Sequence, residues 1–520
     1  MKRKLLTALL CGALMLTSLA GCGQGAGNQS GTSAGGESAV KDELVFVNYR
    51  DIRDLNPHLY AGEMYAQSIL YDTLVSNTSE GYVGCLAEDW TISEDGRTYT
   101  FNIRDGVTFS DGTPCDANAI LANFNAILEN RERHTWLEMM NLLVGVSAPD
   151  DDTFVIEMSE PYYPMLTELA CIRPFAMISP NCMIDGSTKD GVNGYIGTGP
   201  YVLTDFVTDE YAVFERNENY WGEKPAIQKI TVKVIPDNQT RIMALENGEI
   251  DLIFGKNMLD ADAISQYVDS DKFTVGLSDP TSTRHIVLNT THDILGDKSV
   301  RQALQHATNR QAISEGIFYG LEPAADTLYS TTVPYCDVDL EPYAYDADEA
   351  ARLLDEAGWT MGSDGVRAKD GQKLALDLLY NSDSVTEKTI SEYLQSEYLK
   401  LGISLNIHGE EEQSYRDNMK AGNFDMVFNI CWGMPYDPQS SLAAMRAPVY
   451  GDYAAQQGLE DKAEIDQAIT DILTSTDETK RQELYTFVLT RLHEDAVYIP
   501  LTFETNKALY TSDLKGVHFG

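Results

Sequence analysis

The chain has 520 residues, 43% hydrophobic and 9% aromatic, enough for two or three domains with substantial cores. Its 80 acidic and 38 basic residues leave a net charge of −42, which repels phosphate backbones and anionic lipid heads and argues against nucleic acid as a partner. After the leader, no stretch approaches the ~20 apolar residues that a membrane helix needs.

The leader comes first in chain order. Lys2, Arg3 and Lys4 precede an apolar run from Leu5 to Leu19, which ends in Leu19-Ala20-Gly21-Cys22. The run has the length of a secretory h-region, and small residues running into a cysteine resemble a lipobox. Residues 1–22 are therefore expected to be a lipoprotein signal peptide with Cys22 as the lipidated residue. Residues 23–42 begin with Gly, Ser, Ala, Gln, Asn and Thr and read as a flexible tether. The expected location is the extracytoplasmic face of a bacterial cell membrane, with the body held by a lipid anchor.

Periodicity then predicts the elements. Leu44 to Tyr49, Thr98 to Ile103, Thr153 to Met158 and Ile230 to Ile235 read as strands. Pro114 to Asn130 reads as a helix with Pro114 near its start and Ile120, Leu121, Phe124, Ile127 and Leu128 on one stripe. Ser299 to Ile313 is expected to be helical, and so is Asp346 to Ala357, with Asp346 as cap and Gly358 as stop. Lys373 to Tyr380 and Ile403 to His408 read as strands around a helix from Val385 to Leu401. Phe424 to Cys431 reads as a buried strand, and Asp466 to His493 as late helices. Strands alternating with helices imply α/β lobes, and two lobes with a cleft fit this length.

Cys85, Cys115, Cys171, Cys182, Cys336 and Cys431 show no CxxC and no zinc-ribbon spacing. A Cys171–Cys182 disulfide is open to an exported protein, but small core residues are the expected role. Catalytic signatures are missing: there is no HExxH, Walker loop or GxGxxG. Gly31-Thr32-Ser33-Ala34-Gly35 matches a nucleophile elbow in letters only, because it lies in the tether. The chain is expected not to be an enzyme.

Ile196-Gly197-Thr198-Gly199-Pro200-Tyr201, then Arg216-Asn217-Glu218-Asn219-Tyr220-Trp221-Gly222, then Ile230 to Asp237, resemble the family 5 solute-binding proteins that serve ABC importers of peptides and nickel. The likeness runs from about Leu44 to Leu514. It implies an α/β, two-lobed, periplasmic-binding-protein-like fold of type II with a hinge and an interlobe cleft. The expected bounds are 43–276 for lobe I, with an inserted subdomain at about 81–190, then 277–498 for lobe II and 499–520 returning to lobe I. Within the family the likeness is closer to the nickel-binding component of nickel importers. It is carried by Leu55 to Tyr60 with Met64 to Ser68, by Asn130 to Glu138, by Arg173-Pro174-Phe175, and by Trp432 to Pro438. Met445-Arg446, Gln456 to Leu459 and Thr490 to His493 complete the set.

That resemblance implies a nickel ion wrapped in a small organic chelator, with no intrinsic cofactor and no direct metal ligand from the protein. Arg173 is the expected holder of a chelator carboxylate, through its planar fork of donors, and Arg133 a second contact. Trp136 and Trp432 are expected walls with an N–H each; Tyr60 and Tyr436 add hydroxyls, and Met64 a soft surface. Glu410 to Glu412 read as a solvated turn and Arg446 as an ion-pair partner. The nickel relatives carry a histidine shortly after Met-Arg-x-Pro; aligned on Pro448, that position here is Tyr450. A phenol with a pKa near 10 is a poor Ni²⁺ ligand at neutral pH. A saturated complex, such as a metal with two histidines or an opine-type chelator, is therefore expected. The implied partners are a permease and ATPase subunits, with the protein itself monomeric. A di- or oligopeptide binder of the same fold is the alternative reading, and a surface enzyme or adhesion protein a third.

Overall fold

The computed structural model describes residues 42–78, 81–255, 258–431, 438–448 and 450–519. Cys22, the tether up to residue 41, Trp432 and Tyr436 lie outside these residues. No described helix is long and apolar enough to cross a membrane.

A mixed sheet of ten strands runs through the body. Its spatial order is Tyr201–Val207, Tyr211–Arg216, Lys229–Val234, Glu43–Asn48, Leu252–Phe254, Tyr498–Thr511, Phe273–Leu288, Met426–Ile430, Ala375–Asn381 and Ser404–Glu410. Glu43–Asn48 pairs in parallel with both neighbours, and so does Ala375–Asn381. Two long antiparallel strands join the halves. Tyr498–Thr511 pairs with Phe273–Leu288 from Phe273↔Thr511 to Val287↔Tyr498. The first half leans on this ribbon at Ala508 to Tyr510, and the second at Arg284 to Leu288. Between those ends the register slips at Leu277/Pro280 and Pro280/Ser282. Such irregularities interrupt the ladder and let a ribbon bend.

A second sheet, in the order Ala87–Ile92, Thr98–Ile103, Thr153–Met158, Leu143–Ser147, is antiparallel throughout. Phe101 and Phe154 face its covered side and are fully buried. Helix Ala117–Glu129 lies on it through Ile120, Phe124 and Ile127. Phe124 sits 4.8 Å from Phe154 and 5.9 Å from Phe175, centre to centre. Each such buried ring stabilises the fold by ~2–3 kcal/mol.

Two predicted helices start or break differently. Asp116 caps the first, accepting the Ala119 N–H at 2.9 Å, so Pro114 precedes the helix and bridges to Thr108. The stretch from 299 to 313 is two helices, Lys298–Ala307 and Arg310–Ile317. Thr308 is extended and Asn309 caps the second by accepting the Ala312 N–H. Capping side chains outcompeted continuous apolar periodicity at both places. Asp346 does cap Ala347–Glu356, and Gly358 follows at φ +89°.

The six body cysteines are buried and none is in a disulfide among the described residues, so no Cys171–Cys182 bridge forms. Cys171 donates instead to the Thr167 carbonyl. Arg446 donates to the Thr470 hydroxyl at 2.7 Å and forms no ion pair among the described residues, contrary to expectation. Glu411 caps Glu412–Ala421, which explains the local run of carboxylates. Gly197 and Gly199 serve close approach: a Cβ on either would overlap the backbone of Leu70. Beside them Thr198 and Trp221 both donate to Asp72, at 2.8 and 2.9 Å, which joins two of the sequence motifs.

Candidate functional site

Two segments are fixed before any ligand contact is considered. The first carries Tyr60. His58 is buried, accepts from or donates to the Thr188 hydroxyl through Nδ1 at 2.8 Å, and lies 3.2 Å from the Ala176 carbonyl through Nε2. The carbonyl can only accept, so Nε2 carries the proton and Nδ1 accepts. Burial holds this imidazole down at about 3, so it stays neutral. Asn56 adds a donor to the Thr188 carbonyl at 2.7 Å. The second segment carries Arg173. Pro174 and Phe175 are buried beneath it, and the Asn123 side chain both donates to and accepts from Ile178.

Arg173 then reaches the first segment. Its Nη1 donates to the Tyr60 carbonyl at 2.9 Å and to the Gly62 carbonyl at 3.2 Å. These contacts set the plane of the guanidinium, which is what bidentate recognition of a carboxylate requires. Tyr60 is also tied to the 131–138 segment. Trp136 Nε1 donates to the Tyr60 hydroxyl at 2.8 Å, and that hydroxyl lies 2.7 Å from His134 Nδ1. Since the tryptophan can only donate, the hydroxyl passes its own proton toward His134, leaving the imidazole proton on Nε2. Burial lowers His134 to about 4, with the Arg133 charge adding to the effect. Burial likewise raises Tyr60 to about 12. Arg133, itself exposed, places its guanidinium 5.8 Å from the centre of the Tyr60 ring.

Sequence reasoning thus brought Tyr60, Arg133, Trp136 and Arg173 into one cluster. The Trp136 N–H and the Tyr60 hydroxyl are engaged with each other. His134 was the missed member; its place between Arg133 and Trp136 in a quoted segment was the available signal. Met64 opens helix Met64–Leu70, two residues past the Gly62 carbonyl that Arg173 holds, and is 43% exposed.

A cavity of about 300 Å³ lies between Trp136 of this cluster and the second half of the chain. Trp136, Glu138, Tyr162 and Glu168 line one side, and Ala444 and Tyr450 the other. Tyr450 and Ala444 also line a neighbouring cavity of about 500 Å³ with Arg284, Glu387, Asp452 and Glu504. Burial raises the Tyr450 hydroxyl above its ordinary value, so it remains a neutral phenol. Glu168 is the second residue that sequence reasoning missed. It accepts from the Tyr162 hydroxyl at 2.5 Å and from the Met139 N–H at 3.1 Å, and so ties the turn after Trp136 to the segment before Arg173. Burial pushes its carboxyl up to about 7.

Known proteins share this arrangement of chain. Residues 81–452 match the bacterial extracellular solute-binding proteins, family 5 Middle. The nickel-binding periplasmic protein of Escherichia coli (strain K12) is 42% identical over 471 residues, 90% of this chain and 90% of the relative. NikA from Brucella suis, solved in complex with Fe(III)-EDTA, has a TM-score of 0.89 and 44% identity over 92% of this chain and 97% of that one. The dipeptide-binding protein of Escherichia coli (strain K12) is 26% identical over 506 residues, 91% of each chain.

Proposed function

The chain belongs to the family 5 bacterial extracellular solute-binding proteins, and from that premise we propose that it captures a nickel chelate for an ABC importer. The observation that carries the reading is the cluster of Arg173, Arg133, Trp136 and Tyr60, whose Trp136 lines a cavity together with Tyr450. Fixed guanidinium donors suit the carboxylates of a chelator, and flat rings suit its body. A relative named for nickel binding and a neighbour solved with an iron–polycarboxylate support this choice. In the same reading Trp432 and Tyr436 are the further aromatic residues offered to the chelate, and Met64 a soft surface for it. With a neutral phenol at Tyr450, the metal arrives with its coordination filled by the chelator.

Capture uses closure. Lobe I at 43–276 and lobe II at 277–498 swing about the ribbon that joins the half-sheets, and the slipped register between Leu277 and Ser282 takes up the bend. The closed monomer docks on a permease whose ATPase subunits are separate chains. Cys22 carries the lipid that keeps the body near that permease.

Calorimetric titration tests the reading with Ni²⁺ alone, Ni²⁺ with excess L-histidine, and a pool of short peptides. Heat only with the nickel–histidine mixture, lost in Arg173→Ala, is the expected result. Peptide binding without a metal requirement would overturn it.

A further inference from the structure

The two half-sheets are joined through one ribbon, so contacts between the chain before it and residues 289–497, between its two strands, are the ones that lobe opening can break. One such contact is made by side chains that do not line the ligand cavity. Tyr163, in the segment that leads to Arg173, donates its backbone N–H to the Leu473 carbonyl at 2.9 Å. Its hydroxyl donates to Glu478 Oε1 at 2.6 Å. Tyr335 donates to the other oxygen of the same carboxylate, also at 2.6 Å, and the two phenol oxygens are 2.9 Å apart. One carboxylate therefore gathers two phenols, one from each side of the ribbon.

Arg481 lies one turn along the same helix, Glu478–Glu494, and is completely buried. Its guanidinium sits 3.4 Å from the centre of the Tyr163 ring, 5.0 Å from that of Tyr335 and 5.8 Å from that of Tyr485. Two of its nitrogens, Nε and Nη2, have no hydrogen-bond partner among the described residues. The Tyr163 ring thus covers a buried cation that opening would leave without its nearest aromatic face. Tyr335 stacks flat on Tyr485 at 4.8 Å, so the second-lobe side is built in advance of closure. Burial pushes the Glu478 carboxyl up, but the two phenol donors hold it below its ordinary value, as hydrogen bonds to an ionised acceptor do.

We propose that Tyr163, closing on Tyr335, Glu478 and Arg481, forms an interlobe latch that sets how long the cleft stays shut on its ligand. The latch rests on the closure described above and not on the identity of the chelate. Because Tyr162 next to it holds Glu168, and Glu168 holds the turn after Trp136, the latch and the ligand wall share one segment.

Tyr163→Phe keeps the ring over Arg481 and removes only the hydroxyl; Glu478→Gln removes the shared charge from the other side. Spin labels at Val144→Cys and Leu399→Cys, 64% and 56% exposed and on opposite sides of the ribbon, report the lobe separation, since the native body cysteines are buried. Separations are read without ligand and with Ni²⁺ plus L-histidine, and dissociation of that probe is followed by stopped flow. Each single variant is expected to enlarge the open population and to speed dissociation about tenfold, the worth of one hydrogen bond to a charged group. The double variant is expected to go little further, and the unfolding midpoint of ligand-free protein to stay near wild type. Unchanged separations and dissociation in both variants would overturn the latch. If the probe fails to bind while the variants still shift the ligand-free separations, the latch stands and the chelate reading falls. If the probe fails and those separations do not move, both fall.

Discussion

Tyr60→Phe isolates one hydroxyl at the centre of the candidate site. Phenylalanine keeps the ring edge against Trp136, 6.1 Å centre to centre, and the face toward Arg133. What goes is the acceptor for the Trp136 N–H at 2.8 Å and the donor to His134 Nδ1 at 2.7 Å. Two net hydrogen bonds are worth ~1 kcal/mol each, and a buried imidazole nitrogen left without its donor adds ~1–2 kcal/mol. The expected loss is about 3 kcal/mol, read as a lower urea midpoint at unchanged slope. A second change separates the parts. Adding His134→Leu removes the stranded acceptor, so the double variant is expected to be more stable than the sum of the two single losses allows. A Tyr60→Phe protein within ~0.5 kcal/mol of wild type, or strictly additive losses, would refute the relay from Trp136 through Tyr60 to His134.

Three further outcomes are expected. The Glu168 carboxyl, raised by burial from 4.5 to about 7, holds its proton more tightly folded than unfolded. Its contribution is therefore complete below about pH 4.5 and lost as pH rises through about 7, at most roughly 3 kcal/mol; Glu168→Gln should flatten that part of the stability–pH curve, and an unchanged curve would contradict the assignment. Gly197→Ala drives a methyl into the Leu70 carbonyl and the Tyr71 ring and is expected to abolish soluble expression, whereas Gly186→Ala, where a Cβ meets nothing, costs only the strain of φ +79°. Tyr450→His replaces a neutral phenol with an imidazole; nickel carrying a single histidine should then bind at least tenfold tighter by calorimetry, and unchanged affinity would place Tyr450 away from the metal.

Local patterns read well where one face is buried. Thr98–Ile103 and Thr153–Met158 appear in the structure with the bounds that their alternation predicts. Alternation failed for the ribbon. Phe273–Leu288 contains Ser278, Asp279 and Pro280, and Tyr498–Thr511 holds Glu504 and Asn506, so both look like loops until their pairing is known. The ribbon's polar residues are partnered across strands, as Ser282 is with Glu504 at 2.6 Å, and that pairing has no signature along the chain. In the site, the arginines and aromatic residues were legible because they sit in segments resembling a family. The links between them were not. Tyr60 meets His134 and Trp136 across more than seventy residues of sequence, and Tyr163 meets Glu478 across more than three hundred. Glu168 looked like any of the chain's 80 carboxylates until burial set it apart.

Diffraction at the nickel absorption edge, from crystals grown with Ni²⁺ and L-histidine, tests the central claim most directly. One anomalous peak is expected in the cavity between Trp136 and Tyr450, with a chelator carboxylate against Arg173 and no protein atom bound to the metal. A peak ligated by protein side chains, or peptide density in that cavity with no peak, would contradict it.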